Sequence, residues 1–124
     1  MTEVILATLA FYLFQLMLPH LIAVARGEIA AASLLGARDQ VVDNSIIVQR
    51  ASRAAANMQE SMIVFLPLAG LAVANSTSVA ETATIWLGLR FAHLITYLLG
   101  ISFIRTLIWY GTLYCLGSMA VALV

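Results

Sequence analysis

Four long apolar runs limit what this chain can fold into. They are Val4 to Ala25, about Ile46 to Ala74, Val79 to Leu99, and Phe103 to Val124. A bilayer core about 30 Å thick needs about 20 helical residues, so each run is long enough to cross it. Of the 124 residues, 63% are hydrophobic and 10% charged, with a mean hydropathy of +1.01. The sequence therefore predicts an integral membrane protein of all-α fold, with residues 1–124 forming a single four-helix bundle domain.

Polar segments separate the runs and mark where helices begin. The long segment Gly27 to Ser45 is expected outside the membrane, and Ala30 to Leu35 within it is a candidate short helix. Ser78 and Glu81 have the spacing of a capping box for the third helix. Pro67 is a candidate kink in the second helix. Candidate caps for the second helix are Asp43, Asn44 and Ser45.

The arginines at the membrane boundaries favour one end of the bundle. Those near this end are Arg26, Arg38, Arg50 and Arg105. The positive-inside rule then places the first loop and the Gly100 turn in the cytoplasm, with both termini and the Asn75 to Ser78 loop outside. No cleavable signal is expected, because Glu3 and no basic residue precedes the first apolar run. We expect a multi-pass protein of a bacterial inner membrane.

Charge and cysteine content exclude several classes of function. The formal net charge is zero and all six basic residues are arginine, with no polybasic patch. Nucleic-acid binding is therefore not expected. Cys115 is the only cysteine, so an intrachain disulfide is impossible and a packing role is favoured. We predict no metal site.

Polar residues recur on one face of the second and third runs. An ionised side chain inside a bilayer costs at least a few kcal/mol, so such residues usually mark a ligand, ion or proton site. Successive residues of a helix turn by about 100°, which places the second-helix set on a stripe about 80° wide. That set is Arg50, Arg53, Asn57 and Glu60, and the third-helix set is Arg90, His93 and Tyr97. With Arg105, four arginines oppose one glutamate at membrane level, an excess that favours an anionic ligand.

Arg53 and Glu60 are about 10 Å apart along the helix, which is also the length of roughly three extended residues. A short peptide lying along the helix could reach both. The alternative is an internal ion-pair network without a ligand, since Glu60 and Arg90 have similar depths and could pair. Taken alone, His93 is more typical of a hydrogen-bonded interior histidine, and Tyr97 of an aromatic belt.

These residues resemble the MAPEG family, the membrane-associated proteins of eicosanoid and glutathione metabolism, over nearly the whole chain. The family's second-helix pattern R-x-x-x-N-x-x-E matches Arg53, Asn57 and Glu60. Its third-helix pattern R-x-x-H-x-x-x-Y matches Arg90, His93 and Tyr97. Arg105 is similar to the arginine that stabilises the glutathione thiolate in family enzymes, and Arg26 to another arginine of the glutathione site.

The resemblance implies a homotrimer in a lipid bilayer, with glutathione bound between subunits and open to the cytoplasmic half of the membrane. It implies a transferase or peroxidase acting on a lipophilic electrophile or lipid hydroperoxide, with Arg105 and Tyr97 as catalytic residues. The glutathione-binding residues would be Arg26, Arg50, Arg53, Asn57, Glu60, Arg90 and His93.

Several positions depart from the family pattern. Ala56 stands where a basic residue often precedes the motif asparagine, and Ser61, Met62 and Ile63 stand where an aromatic residue or proline often follows the motif glutamate. Thr106 stands where serine often follows the thiolate-stabilising arginine, and the aromatic residue one turn after Arg105 is Trp109, with Tyr110 displaced by one position. A non-catalytic member that binds lipid or serves as a membrane scaffold is therefore the second reading. A small multidrug exporter is disfavoured, because such exporters centre on an acidic residue in the first helix and Val4 to Ala25 has none.

Overall fold

The computed structural model describes residues 1–27 and 45–124. These residues form four helices: α1 (Thr2–Ala25), α2 (Ile46–Ala74), α3 (Ala80–Leu99) and α4 (Ser102–Ala122). The four long predicted helices are confirmed, because a long apolar run bounded by polar residues leaves little freedom in where a membrane helix starts and stops. The predicted helix at 30–35, the caps Asp43 and Asn44, and Arg38 lie outside the described residues.

The helices pack as two antiparallel pairs, α1 with α2 and α3 with α4, and α2 against α3 joins the pairs. Phe65 of α2 stacks on Trp86 of α3, with ring centroids 4.0 Å apart and planes 4° from parallel. Fully buried alanines, Ala54 and Ala69 on α2 and Ala83 on α3, let the helix backbones approach closely.

Large apolar side chains cover the outside of the bundle. Phe103 is 74% exposed, Ile63 is 68% exposed and Leu13 is 62% exposed. Exposed apolar surface on this scale requires an apolar solvent, which a bilayer supplies. By length and composition, α1, α2 and α3 qualify as membrane spans within the described part of the chain. The 21-residue α4 is not among them, since Arg105 and several threonine, tyrosine and glycine residues reduce its hydropathy.

Helix α3 ends in a tight turn into α4. Gly100 has φ +74°, its N–H donates to the Tyr97 carbonyl at 3.2 Å, and the Ile101 N–H donates to the Thr96 carbonyl at 3.0 Å. This is a Schellman motif, which glycine permits because it lacks a Cβ. The turn therefore fixes the start of α4 relative to the end of α3.

The predicted capping box at the start of α3 is wrong. The N-cap is Val79 rather than Ser78, and it makes no side-chain cap hydrogen bond. Val79 is buried in the core, so its packing places the helix start one residue later than the polar pattern indicated. The N-cap of α2 is Ser45, one of the three candidates from the sequence, and α2 runs without interruption through Pro67.

Candidate functional site

Three side-chain hydrogen bonds cross between α2 and α3. Their positions ascend along α2 as they descend along α3, as antiparallel packing requires. They join Arg50 Nη1 to the Leu98 carbonyl (3.5 Å), Arg90 Nη2 to Asn57 Oδ1 (2.9 Å), and Trp86 Nε1 to Ser61 Oγ (3.3 Å). We call this row the α2–α3 seam. It holds together the two helix pairs that supply the residues of the site.

Arg90 is the most deeply buried charge in the described residues, with 1% of its surface exposed. Its Nε and Nη1 atoms are buried and have no hydrogen-bond partner among those residues. The ion pair with Glu60 that the alternative of an internal network implied is absent among these residues: Glu60 is exposed and attracts Arg90 only at longer range. The Asn57 amide, one turn earlier on α2, takes the hydrogen bond instead.

A cavity of about 220 Å³ lies beside the seam, near the end of the bundle where α3 turns into α4. It is lined by Asn57, His93, Tyr97, Arg105, Thr106 and Trp109. Helix α2 supplies the asparagine, and α3 and α4 supply the rest. The structure therefore brings four of the predicted site residues into one cavity, with Arg90 directly behind Asn57.

Tyr97 is central to the polar part of this cavity. The Arg105 guanidinium carbon lies 4.5 Å from the centroid of the Tyr97 ring, a cation–π geometry. The His93 ring meets Tyr97 edge-on, with centroids 5.5 Å apart. His93 is buried, its Nδ1 has no partner among the described residues, and the charges of both Arg90 and Arg105 act on it. Arg105 therefore contacts this aromatic pair through the Tyr97 ring.

The other predicted site residues lie outside the cavity. Arg53 and Glu60 are exposed on the outer face of α2, where Arg53 Nη2 donates to Gln49 Oε1 at 3.4 Å. Arg26 is exposed at the end of α1, and Arg50 contacts the end of α3. The α2 stripe predicted to face one place is therefore divided. Asn57 lines the cavity, whereas Arg53 and Glu60 are exposed and Arg50 contacts the end of α3.

Two cavity residues, Thr106 and Trp109, were not among the predicted site residues. Trp109 lies four residues after Arg105, so the helical repeat could have identified it, whereas no helical spacing groups Thr106, the next residue, with Arg105. The Thr106 hydroxyl donates to the Ser102 carbonyl at 3.0 Å, which leaves its oxygen able to accept a hydrogen bond. Both residues supply the α4 wall of the cavity.

A second cavity, of about 330 Å³, lies between α1 and α2. His20, Ser52 and Gln59 give it polar groups, and the rest of its lining is apolar, with no arginine. An anionic ligand would bind more favourably in the smaller cavity, because Arg105 lines it. We therefore take the smaller cavity as the candidate site.

Residues 4–124 match the family model described as the MAPEG family. No curated protein and no solved structure matches the chain.

Proposed function

The chain belongs to the MAPEG family, a family of integral membrane proteins with a four-helix bundle, and from this premise we propose that it is a glutathione-dependent transferase or peroxidase. Its second substrate would be a lipophilic electrophile or a lipid hydroperoxide. The observation that carries the proposal is the position of Arg105, which lies over the Tyr97 ring at a cavity also lined by Asn57 and His93.

The polar groups of the cavity suit one end of glutathione. Because Asn57 Oδ1 accepts a hydrogen bond from Arg90, the Asn57 amide nitrogen is left to donate to a ligand. Arg105 provides a guanidinium group, and Tyr97 provides a hydroxyl. This donor set favours a thiolate or a carboxylate over a cationic or fully apolar ligand.

Glutathione has two carboxylates and one ammonium group. The 220 Å³ cavity offers one guanidinium group, that of Arg105, so it cannot pair with all three charges. Arg53 and Glu60 lie on the adjoining outer face of α2, where they are exposed in a single chain. Exposed charges on a membrane helix favour cover by protein rather than by lipid. We propose that a second copy covers this face, and that Arg26, Arg53 and Glu60 bind the charged ends of glutathione between subunits of a homotrimer.

The mechanism follows from the charges at the cavity. Glutathione supplies a thiol, which is nucleophilic as the thiolate. Arg105 stabilises negative charge at the sulfur position, because its guanidinium is held at the cavity wall by the Tyr97 ring. The Tyr97 hydroxyl donates a hydrogen bond to the sulfur or to the leaving oxygen of a hydroperoxide, and His93 orients the Tyr97 ring.

The site is proposed to face the cytoplasmic half of the membrane. Arg50 contacts the Gly100 turn, so the ends of α2 and α3 that carry Arg50 and Gly100 lie together. Arg26 and Arg105 are also near helix ends on this side, and the positive-inside rule places such an end in the cytoplasm.

Ala56 favours one other candidate function. A small apolar side chain precedes Asn57, so the α2 face offers one cation fewer to an anionic ligand. A family member that binds a lipid in the same cavity, without activating a thiol, would tolerate this. Such a lipid-binding protein would also not need Arg105 to leave the Tyr97 ring and contact a sulfur atom.

Calorimetry with purified protein in detergent separates the two candidates. We expect glutathione to bind the native protein, and Arg53→Ala and Glu60→Ala each to weaken binding by about tenfold, the loss typical of one charged contact. Glu81→Gln, an exposed change at the start of α3, is the control and should bind normally. No binding at millimolar glutathione would favour the lipid-binding candidate.

A further inference from the structure

We infer that Arg50 is a positioning residue rather than a glutathione ligand. It holds the turn between α3 and α4, and the turn sets where Arg105 lies in the cavity. The catalytic part of this inference rests on the proposed function, but the contacts of Arg50 do not.

Arg50 lies against the backbone of the turn. Its Nη1 donates to the Leu98 carbonyl at 3.5 Å. A Cβ placed on Gly100 would lie 2.8 to 2.9 Å from Cζ, Nη1 and Nη2 of Arg50. Three such similar distances mean that the face of the guanidinium covers the space where a side chain would be. The φ of +74° favours glycine at position 100, and a side chain there would also have to displace the end of the Arg50 side chain.

The end of α3 also needs a cation. The last carbonyls of a helix lack partners within the helix, and its C-terminal dipole favours positive charge. Helix α3 has no basic residue in its own last turn. Arg50, from the first turns of α2, supplies that charge from across the seam. Its bond to Leu98 is the seam's only hydrogen bond at this end of the described bundle.

The turn links Arg50 to the catalytic pair. The Gly100 N–H donates to the Tyr97 carbonyl, and Arg105 lies five residues after Gly100 in the first turns of α4. Arg50 does not line the cavity that contains Tyr97 and Arg105. A shift of the turn would move the start of α4, and with it the Arg105 guanidinium, relative to the ring of Tyr97. Misplacement by about 1 Å is enough to cost much of the activity of a catalytic group.

The first test separates positioning from binding. In Arg50→Ala we expect the glutathione Kd to change by less than about threefold, while the ultraviolet thiolate absorbance at saturation falls by about fivefold or more. Arg50→Lys should recover part of the thiolate signal, because an ammonium can still donate to the Leu98 carbonyl. Glu81→Gln is again the control. A Kd at least about tenfold weaker with an unchanged thiolate signal at saturation would overturn the inference and make Arg50 a direct ligand.

The second test needs no glutathione. Gly100→Ala is made in the native protein and in Arg50→Ala, and the midpoint of thermal unfolding in detergent is measured for all four proteins. We expect the added methyl group to lower the midpoint less when Arg50 is absent, because the group that it meets is gone. An equal decrease of the unfolding midpoint in both backgrounds would show that Arg50 does not contact position 100. If the native protein does not bind glutathione, the proposed function fails, and this cycle alone decides whether Arg50 holds the turn.

Discussion

The orientation of the Asn57 side chain is set by a buried arginine. Arg90 gives its one side-chain hydrogen bond to Asn57 Oδ1, and its Nε and Nη1 are buried without partners among the described residues. A buried charge that is partly paired makes its remaining partner important for stability. Asn57 therefore has two tasks, to pair Arg90 and to present its amide nitrogen to the cavity.

Replacing Asn57, whose partner is a charged arginine, should destabilise the bundle more than replacing a seam residue whose partner is neutral. We expect Asn57→Leu to lower the free energy of unfolding by about 1 to 3 kcal/mol, because Arg90 loses its hydrogen bond. Ser61→Ala is the matched control, since it removes the weaker bond from Trp86 and should cost about 0.5 to 1.5 kcal/mol. Equal losses in denaturant unfolding of the two variants would show that Arg90 does not depend on Asn57.

Two substitutions at Tyr97 separate its ring from its hydroxyl. Tyr97→Phe keeps the ring beneath Arg105, so we expect the thiolate signal to stay within about twofold of native while turnover falls by about tenfold or more. Tyr97→Leu removes both groups and should reduce the thiolate signal as well. If turnover by Tyr97→Phe equals that of the native protein, the hydroxyl takes no part in the reaction.

At the scale of the helices, both close packing and polar contacts align α2 with α3. Phe65 stacks on Trp86, and buried alanines bring the backbones together. Between helices in a bilayer, such packing stabilises association where the hydrophobic effect contributes little. The seam then fixes which residues of α2 face the cavity.

Adding volume to this packing should destabilise the protein. Ala69 of α2 is fully buried, so Ala69→Leu is expected to lower the free energy of unfolding by about 1 to 3 kcal/mol through overpacking. Ala10→Leu adds the same atoms to the exposed face of α1 and should change stability little. Unfolding in detergent measures both, and an equal effect would mean that α2 and α3 are not closely packed at Ala69.

The sequence predicted the helices better than the contacts between them. Helix bounds follow from the length of apolar runs, and for that reason α2 begins and ends where predicted. The possible Glu60–Arg90 pair does not form in the described residues, because equal depth in the membrane does not specify which faces of two helices meet. The orientation of each helix about its own axis places Asn57, and not Glu60, opposite Arg90.

The candidate site was predicted in part, for the same physical reason. A shared helical face correctly grouped His93 and Tyr97, because both belong to one helix. Arg50 shares a face of α2 with Asn57, yet it reaches the turn after α3, a contact that only tertiary packing determines. The Gly100 turn itself was visible in the sequence, but its arginine partner was not.

At the scale of the whole molecule, the outer face of α2 is unusual for a surface in lipid. It carries Arg53 and Glu60, while the outer faces of α1 and α4 carry large apolar residues such as Leu13 and Phe103. Polar groups that face hydrocarbon are costly, which is the physical basis for proposing that another copy of the chain covers this face.

A bulky residue on this face should disrupt the assembly. We expect the native protein to give three copies by native mass spectrometry, and Ala56→Trp, at an exposed position of α2 between Arg53 and Glu60, to reduce the trimer fraction severalfold. Leu113→Trp changes the exposed face of α4 and is the matched control. A native protein of one copy, or an intact trimer in Ala56→Trp, would contradict the assignment of α2 to the interface.

The ultraviolet difference absorbance of glutathione bound to the native protein and to Arg105→Ala tests the central claim most directly. We expect a thiolate band in the native protein at neutral pH, and its loss in Arg105→Ala while glutathione still binds, because Arg105 is the one guanidinium that lines the described cavity. Glutathione that binds the native protein without a thiolate band, or a band that is unchanged in Arg105→Ala, would contradict the claim that Arg105 activates the thiol.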